Sequence, residues 1–300
     1  MKILNFGSLN LDFVYTVDHF VRPGETMSSL SRQTFCGGKG LNQSIALARS
    51  GVKVYHAGAV GKSDGNMLIQ VLDKNNVNTD YIMQYEDAAT GHAIIQVNQN
   101  GQNCILLFGG ANQMITKEHV DKTLDNFSKG DFIILQNEIN LLDYIMEKAH
   151  KKGLIIVLNP SPMNQKIYSL PLGYVDYFML NEVEAADISK GAAGDDDLLE
   201  RLGKKYPSAK IVLTLGEKGV RYKDGDLILQ HGIFKVPAVD TTAAGDTFTG
   251  FFIGSLAQGY DVREALRIAS LASAISVSRK GAEASIPFME EVKASKLELK

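Results

Sequence analysis

The sequence predicts an α/β fold in which a doubly wound parallel sheet carries helices on both of its faces. Two observations support this prediction: short apolar runs rich in branched residues recur along the chain, and amphipathic helical patterns separate them. Apolar runs that are continuous rather than alternating suit strands buried on both faces of a parallel sheet. Strand, helix and strand in this order form βαβ units, which place a layer of helices on each face.

The core strands are predicted in chain order. The N-terminal segment MKILNFGSLN begins a strand at once, and five later runs predict further strands: VYHAGAVG (54–61), DFIILQNE (131–138), LIIVLNPSP (154–162), DYFMLNEVE (176–184) and KIVLTLGEKG (210–219). A helix is predicted over 141–153, where a glycine ends the pattern as a C-cap. Another is predicted over 261–281, where leucines and isoleucines form an apolar stripe.

Two segments interrupt this succession of strands and helices. Residues 13–35 and 90–108 alternate as half-buried strands do, and the second contains the turn sequence NQNG, which predicts a hairpin. We expect these strands to form a small sheet beside the main one, placed as a lid over a cleft. Because no linker interrupts the chain, residues 1–300 are predicted to form a single domain.

The composition excludes several classes of function. Of the 300 residues, 45% are hydrophobic and 22% are charged, which suits a globular protein with a large core. A net charge of -3 without a basic stripe argues against nucleic acid as a partner. No apolar run approaches the ~20 residues that cross a bilayer, and no signal peptide is recognisable, so we expect a cytoplasmic protein that binds no membrane. Two cysteines and six dispersed histidines suggest neither a disulfide framework nor a histidine metal centre.

Polar residues or glycine follow the predicted core strands at their carboxyl ends. In a parallel sheet these ends lie along one edge, and ligands of open α/β folds bind there. Any one of these residues alone is better explained as a turn former or a helix cap, but four strands that end in this way favour a binding edge. The residues are Asn137, Glu138, Asn159, Asn181, Glu184 and Gly216.

The segment GAVGKS (58–63) does not form a nucleotide-binding P-loop. That motif requires a glycine separated by four residues from its GK dipeptide, and this chain has His56 there. No G-x-G-x-x-G leads from a strand into a helix either, which argues against an oxidoreductase with a nicotinamide dinucleotide.

The segment CGGKGLNQSIALARSG (36–51) places a lysine and an amide beside a pair of glycines. Gly37 and Gly38 let the backbone approach a ligand closely, and Lys39 and Asn42 lie within one helical turn, so both side chains can face that ligand. This arrangement suits a polyhydroxylated substrate. Alone, the segment is better explained as a turn with a solvated lysine and a surface asparagine.

The segment NEVE (181–184) sets Asn181 and Glu184 three residues apart, on one face of a helix that begins there. The pair could orient water around Mg²⁺, a cation that proteins hold through few groups of their own. The alternative is a plain helix start with Asn181 as the N-cap, and the local sequence favours that alternative.

The segment DTTAAGDTFTG (240–250) predicts an anion site. A helix that begins near Ala244 leaves its first backbone N–H groups unpaired, and the small residues Ala243, Ala244 and Gly245 leave that positive end open to a phosphate. Asp246 then lies in the first turn, beside the anion. An aspartate there also offsets the helix dipole, but that role does not require three small neighbours.

Five motifs together resemble the ribokinase-like carbohydrate kinases: GSLNLD near the N-terminus, PGET (23–26), GGKGLNQ (37–43), NEVE and DTTAAGDTFTG. The resemblance spans essentially the whole chain and implies a three-layer αβα domain, with a mostly parallel sheet and a small β-sheet lid that pairs with the lid of a second subunit in a homodimer. It also implies transfer of the γ-phosphoryl group of ATP to the hydroxymethyl oxygen of a small sugar, with Mg²⁺ and a monovalent cation, K⁺, as cofactors.

The resemblance also implies roles for individual residues at matching positions. Asp246 corresponds to the catalytic base, and the backbone amides of Ala243, Ala244 and Gly245 correspond to an anion hole. The sugar-binding positions are Asn10, Asp12, Gly38, Lys39, Asn42 and Glu138, and the ATP-binding positions are Asn181, Thr214, Gly216 and Gly219. Glu184 corresponds to a Mg²⁺ site reached through water, and the K⁺ loop corresponds to Asp240, Thr242, Gly281 and Ser285.

The choice of acceptor stays open within the family. The usual motif G-A-G-D is A-A-G-D here, and we expect the anion hole to survive because alanine keeps its amide. GSLNLD and GGKGLNQ favour D-ribose as acceptor and ribose 5-phosphate as product. Fructose, deoxyribose and pseudouridine are alternatives, since Phe13 and Tyr15 keep a nucleoside possible. A non-catalytic sugar sensor is a further alternative, which the intact Asp246 and NEVE disfavour.

Overall fold

The computed structural model describes residues 1–191 and 197–300. Within these ranges the strands are β1 (Ile3–Phe6), β2 (Asn10–Thr16), β3 (Ser31–Gly37), β4 (Val54–Gly61), β5 (Asn78–Tyr85), β6 (Gly91–Val97), β7 (Asn103–Phe108), β8 (Phe132–Gln136), β9 (Ile155–Asn159), β10 (Tyr177–Asn181), β11 (Lys210–Thr214), β12 (Val220–Asp224) and β13 (Leu227–His231). The α-helices there are α1 (Lys39–Arg49), α2 (Asn66–Lys74), α3 (Lys117–Leu124), α4 (Leu142–Lys152), α5 (Glu182–Ser189), α6 (Leu198–Lys205), α7 (Ala244–Ala257), α8 (Val262–Val277) and α9 (Met289–Ala294). None of the helices in these ranges has the length and apolar character needed to span a membrane.

The main sheet has nine strands in the order β13-β12-β11-β10-β9-β8-β1-β4-β5. Neighbours from β5 to β11 pair in parallel, and β12 and β13 add an antiparallel edge. The prediction of a doubly wound, mostly parallel sheet is therefore confirmed.

Two separate apolar cores cover the two faces of the main sheet. Along β8, Ile134 packs into the core formed with α1, α7 and α8, whereas Ile133 and Leu135 pack into the core formed with α3, α4, α5 and α6. Successive side chains of a strand point to opposite faces, so a strand covered on both sides must be apolar throughout. This burial explains the continuous apolar runs and establishes the three-layer αβα arrangement.

The second sheet has four strands in the order β3-β2-β6-β7. We call it the lid sheet. The predicted hairpin is confirmed, because β6 and β7 pair antiparallel and the N–H of Asn98 donates to the carbonyl of Gln102 at 3.1 Å. The predicted segments 13–35 and 90–108 are slightly displaced: β2 begins at Asn10 and β3 ends at Gly37. Polar Asn10 and Asp12 therefore lie on a lid strand rather than in the loop before it.

Helices α1 and α7 pack together unusually closely. A Cβ atom at Gly250 would meet Ala46 and lie 2.8 Å from the backbone nitrogen of Leu47, and one at Gly254 would lie 3.0 Å from Cβ of Ser50. Only glycine permits this approach of two helices. It sets the first turn of α7 beside the first turn of α1, where the predicted site residues of both helices lie.

Candidate active site

A cleft of about 230 Å³ opens between the carboxyl ends of β9, β10 and β11 and the N-termini of α1 and α7. Polar side chains and small residues form most of its wall. Asn159, Asn181 and Glu184, three of the residues predicted to lie along a binding edge, share it. The other polar or small residues of the lining are Lys39, Ser161, Thr214, Thr241, Ala243, Ala244, Gly245, Asp246 and Thr249.

Asp246 lies in the first turn of α7 and is only 8% exposed. Two amides of α1 hold its carboxylate: Asn42 Nδ2 donates to Oδ2 at 3.1 Å, and Gln43 Nε2 donates to Oδ1 at 2.9 Å. A carboxylate oxygen can accept more than one hydrogen bond, so each oxygen can still accept one from a ligand. The carboxylate is therefore oriented and able to take a proton from a hydroxyl group in the cleft.

The helix end beside Asp246 is strained and partly open. Ala243, the N-cap residue of α7, has φ of 59°, in the left-handed region that residues other than glycine rarely adopt. The N–H of Ala244 donates to the carbonyl of Thr241 at 3.2 Å, so the tight turn already uses one of the three amides predicted to form an anion hole. The role of Ala244 in an anion hole stays a prediction. Among the described residues, none accepts a hydrogen bond from the N–H of Ala243 or of Gly245. Both N–H groups can therefore donate to a bound anion.

Lys39 begins α1 and lines the same cleft. Burial opposes its charge, but the nearby carboxylates, Asp246 and Glu138 foremost, raise the pKa of Lys39 above its ordinary value. The side chain is therefore a cation at neutral pH and places positive charge beside the open helix end.

Asn42 has a different surrounding from the one predicted. It was expected to face the sugar, but its Nδ2 is occupied by Asp246, and its Oδ1 is buried without a partner among the described residues. An unpaired buried oxygen is a potential acceptor for a ligand hydroxyl. Asn42 thus supports Asp246, and its contact with a sugar stays a prediction.

The other predicted sugar positions meet where the lid sheet joins the main sheet. Glu138 Oε2 accepts from the backbone N–H of Lys39 at 3.0 Å and from the hydroxyl of Ser8. Asn10 Oδ1 accepts from Asn112 Nδ2 at 2.8 Å. Gly38 has φ of 94°, and a Cβ atom there would lie 3.1 Å from the backbone nitrogen of Asn10. The glycine is therefore required by this junction as well as by any approaching ligand.

Asp12 lies on β2, and its side chain is half-buried beside Gly37. Burial, with a contribution from the negative charge of Glu138, raises the pKa of Asp12 to about 6, although Lys39 opposes the shift. Binding of a hydroxylated ligand against this carboxyl will therefore depend on pH in the physiological range.

Asn181 and Glu184 confirm the helix-cap interpretation that the sequence left open, whereas the Mg²⁺ interpretation stays a prediction. Asn181 Oδ1 accepts from the N–H of Glu184 at 2.9 Å, and Glu184 Oε2 accepts from the N–H of Asn181 at 3.0 Å, which is a capping box for α5. Both residues also line the cleft. Glu184 is 6% exposed, and burial raises its pKa against the opposing hydrogen bonds from Asn181 and Ser161.

The residues fit Mg²⁺ only as a cation held largely by other ligands. Among residues 1–191 and 197–300, no group of three or more His, Cys, Asp or Glu side chains is arranged to hold a metal ion. A polar cleft with few carboxylates, here Glu184 and Asp246, suits Mg²⁺ that keeps several waters and binds phosphate oxygens.

The predicted ATP-binding positions separate into two groups. Thr214 lines the cleft, pairs with Asn181 across β10 and β11, and donates to the carbonyl of Leu180 at 3.2 Å. Gly216 and Gly219 do not line it, and they flank the short turn after β11 with φ of 54° and 87°. At Gly219 a Cβ atom would lie 3.0 Å from Cα of Gly232, so this glycine has a packing reason of its own.

Three of the four predicted K⁺-loop residues come together. Asp240 accepts from the N–H of Thr242 at 2.9 Å and from the N–H of Gly281 at 3.0 Å, which joins two loops. Burial opposes the charge, but these hydrogen bonds lower the pKa of Asp240 below its ordinary value. The fourth, Ser285, has its buried hydroxyl 2.7 Å from that of Ser276.

The sequence analysis missed several residues of the site. Asn159 was noted as a strand end but was given no role, and Ser161 and Thr241 carry no motif that marks them as lining residues. Gln43 belongs to the quoted GGKGLNQ motif, yet its contact with Asp246 was not foreseen. The motif itself was the available signal for Gln43, because it continues past Asn42.

Comparisons with known proteins agree with this geometry. The model of the pfkB family carbohydrate kinases matches residues 1–289. A ribokinase of Staphylococcus aureus is 34% identical over 97% of this chain and 98% of its own, and a deoxyribokinase of Salmonella typhi is 31% identical over 97% of each. The ribokinase of Arabidopsis thaliana, solved with ribose and ATP, superposes with a TM-score of 0.87 at 27% identity, over 98% of this chain and 97% of the other. The chain belongs to the pfkB family of carbohydrate kinases and is an ATP-dependent carbohydrate kinase.

Proposed function

We propose that this protein transfers the γ-phosphoryl group of ATP to the hydroxymethyl oxygen of D-ribose, giving ribose 5-phosphate. The observation that carries the proposal is the carboxylate of Asp246, which two amides orient beside an open helix end. Relatives named as ribokinases, aligned over nearly their full lengths, support ribose as the acceptor. We further propose that the whole chain acts as one kinase domain.

In the proposed reaction, the hydroxymethyl oxygen bonds to the γ-phosphorus of ATP while the bond to the β,γ-bridging oxygen breaks. The alcohol proton passes to Asp246, and ADP leaves. Phosphoryl transfer depends mainly on positioning and on neutralising charge at the phosphoryl oxygens. The N–H groups of Ala243 and Gly245, together with Lys39, supply that positive charge.

The sugar is proposed to bind at the junction of the lid sheet and the main sheet. Asp12, Asn10 and Glu138 would accept hydrogen bonds from its hydroxyl groups, while Gly38 and Asn42 lie beside them. ATP would then occupy the cleft side of Asp246, with its phosphates near Asn181 and Thr214 and its base near the Gly216 and Gly219 turn. Mg²⁺ would be held by Glu184 through water and would neutralise charge on the transferred phosphoryl group.

We propose that a homodimer forms through the lid sheet. Every residue of β7 is exposed. The register places Leu107 of β7 in the same row as Ala93, Asp12 and Phe35, and both Leu107 and Phe35 are exposed. An exposed apolar face of this kind indicates an interaction surface.

The opposite face of the lid sheet is partly covered by its own side chains. The ring of His92 lies 5.5 Å from that of Phe13 and 4.9 Å from that of Phe108, and the guanidinium of Arg32 lies over Phe13. The face that carries Asp12 is therefore proposed to pair with the partner lid.

We also propose a cytoplasmic location, because ATP is the proposed phosphoryl donor.

A second acceptor is supported by one comparison. The deoxyribokinase relatives are 31% identical to this chain, close to the value for the ribokinases. 2-Deoxyribose differs from ribose by one hydroxyl group. A site with an acceptor dedicated to the 2-hydroxyl would discriminate strongly between the two sugars, because the acceptor would be left unpaired by deoxyribose.

The test is ADP release from ATP, measured by a coupled assay with ribose, 2-deoxyribose, fructose and pseudouridine as acceptors. We expect the highest kcat/KM with ribose and a ³¹P signal of a phosphate monoester on the 5-hydroxymethyl carbon. Absence of turnover with every acceptor would contradict a kinase, whereas a preference for another sugar would change only the acceptor.

The K⁺ requirement can be tested separately at constant ionic strength. We expect kcat to be higher in KCl than in choline chloride. Asp240→Ala should raise the K⁺ concentration for half-activation about 10-fold, because the loss of one charge-assisted contact in the loop weakens ion binding by about that factor. Ser278→Ala serves as the matched control, since its hydroxyl donates to the carbonyl of Ile275 and Ser278 is not a predicted K⁺-loop residue. Identical K⁺ titrations for Asp240→Ala and the unchanged protein would contradict the proposed site.

A further inference from the structure

Gln43 is a fully buried amide that contacts Asp246 without lining the cleft. Its Nε2 donates to Asp246 Oδ1 at 2.9 Å, and its Oε1 accepts from Gln136 Nε2 at 2.8 Å, at the carboxyl end of β8. The reverse orientation of the amide would set oxygen against a carboxylate oxygen and N–H against N–H. Both neighbours therefore favour the orientation that points the N–H of Gln43 at Asp246.

The hydrogen bonds continue from Gln136 through the main sheet. Gln136 Nε2 also donates to Asn5 Oδ1 at 2.9 Å, and Asn5 Nδ2 donates to Ser44 Oγ at 2.9 Å. Ser44 Oγ lies 2.8 Å from His56 Nδ1, and burial lowers the pKa of His56 to about 3, so the ring that ends this network is neutral. All of these polar side chains are fully buried. The position of Gln43 is thus set by β1, β4 and β8 as well as by its own helix.

We infer that Gln43 is a positioning residue for phosphoryl transfer, which acts by holding the Asp246 carboxylate toward the acceptor hydroxyl. The inference rests on the proposed role of Asp246 as the base. Rotation of the carboxylate would break the bonds from both Asn42 and Gln43 and would leave a fully buried N–H of Gln43 without an acceptor. Gln136 fixes Gln43 in turn, so the orientation of the base is anchored in the central sheet.

A double-mutant cycle tests this inference. We expect Gln43→Met, which preserves the volume but removes the amide, to lower kcat about 10- to 10²-fold, because a misplaced reacting group costs that much. The Kd for ribose, measured by calorimetry, is expected to stay unchanged, because Gln43 is fully buried and is not among the residues proposed to bind the sugar. In an Asp246→Asn background, Gln43→Met is expected to lower kcat by less than about 2-fold, because the carboxylate that it positions is absent.

Two further variants separate positioning from general stability. Asn140→Leu also removes a side-chain amide with two hydrogen bonds, to the N–H and carbonyl of Ile115, but lies away from Asp246; it should lower Tm and leave kcat unchanged. Gln43→Glu keeps the shape and sets an oxygen against the carboxylate, so a larger fall in kcat is expected than for Gln43→Met. If Gln43→Met does not fold, Gln136→Met enters the cycle, with a smaller expected fall because Gln43 itself remains.

The outcomes distinguish a failure of the positioning role of Gln43 from a failure of the proposed role of Asp246 as the base. An unchanged kcat in Gln43→Met, or an equal fall in kcat in both backgrounds, would overturn the positioning role. Wild-type turnover by Asp246→Asn alone would instead contradict the proposed role of Asp246, whatever Gln43 does.

Discussion

The main sheet and the lid sheet differ most in how far their strands are buried. Every residue of β8 is buried between two layers of helices, whereas every residue of β7 is exposed. The strands of the main sheet are therefore buried by helices of the same chain. They hold the cleft residues at fixed strand ends. The lid sheet leaves apolar surface exposed and carries the carboxylate of Asp12, which we propose to contact the sugar. The comparison supports our proposal that the main sheet holds the cleft residues and the lid sheet provides recognition.

The largest effect expected on the lid side is on subunit association. Leu107→Lys would place a charge on the exposed Asp12 face, and we expect the Kd of the proposed dimer to rise about 10²-fold because an apolar contact is replaced by a buried charge. Sedimentation equilibrium measures this Kd. Leu106→Lys is the matched control, since the neighbouring residue points to the opposite face and is 67% exposed. A greater loss of association in Leu106→Lys would contradict the chosen face.

On the side of the main sheet, a single added methyl group is expected to lower the free energy of unfolding. Gly250→Ala would press against Ala46 and the backbone of Leu47, and we expect the free energy of unfolding to fall by about 1–3 kcal/mol, as for other overpacked cores. Urea denaturation measures the change. In the control Gly173→Ala, the added Cβ meets nothing within 4 Å, so little change is expected. Equal stability of Gly250→Ala and the unchanged protein would contradict the close α1–α7 contact.

A smaller effect is expected from the pH dependence of sugar binding. The pKa of Asp12 is raised to about 6, so its carboxylate is lost as pH falls through 6 rather than below 4. If only the ionised form binds, the KM for ribose should rise about 4-fold between pH 7.5 and 5.5. Glu138 and Lys39 face the same carboxyl and are retained in the test. Asp12→Asn should have a weaker but nearly pH-independent KM, and persistence of the full pH dependence in that variant would contradict the assignment.

The parts of the fold that depend on local sequence were predicted well. The run 54–61 matches β4 (Val54–Gly61), and α7 begins at Ala244 as expected. Both predictions rest on signals carried within a few residues: a continuous apolar run and a helix start with small residues. The lid bounds were less accurate, because β2 begins at Asn10, three residues before the predicted segment, where polar and apolar residues already alternate up to Phe13.

The contacts between distant segments could not be predicted from one sequence. Gln43 and Gln136 are 93 positions apart, and neither segment alone indicates that two buried amides meet. Local reasoning also could not decide between a helix cap and a ligand site for Asn181, because the residue takes part in the capping box and lines the cleft. The turn that occupies the N–H of Ala244 depends on the left-handed conformation of Ala243, which the sequence does not indicate.

The most direct test of the account compares Asp246→Asn with the unchanged protein. The substitution keeps the size of the side chain but removes the base, so we expect kcat with ribose and ATP to fall at least ~10²-fold. Calorimetry should show ribose binding with the same affinity, because the sugar is proposed to be held mainly by residues of the lid junction. Turnover near the unchanged value, with ribose bound normally, would show that Asp246 is structural and would contradict the central claim.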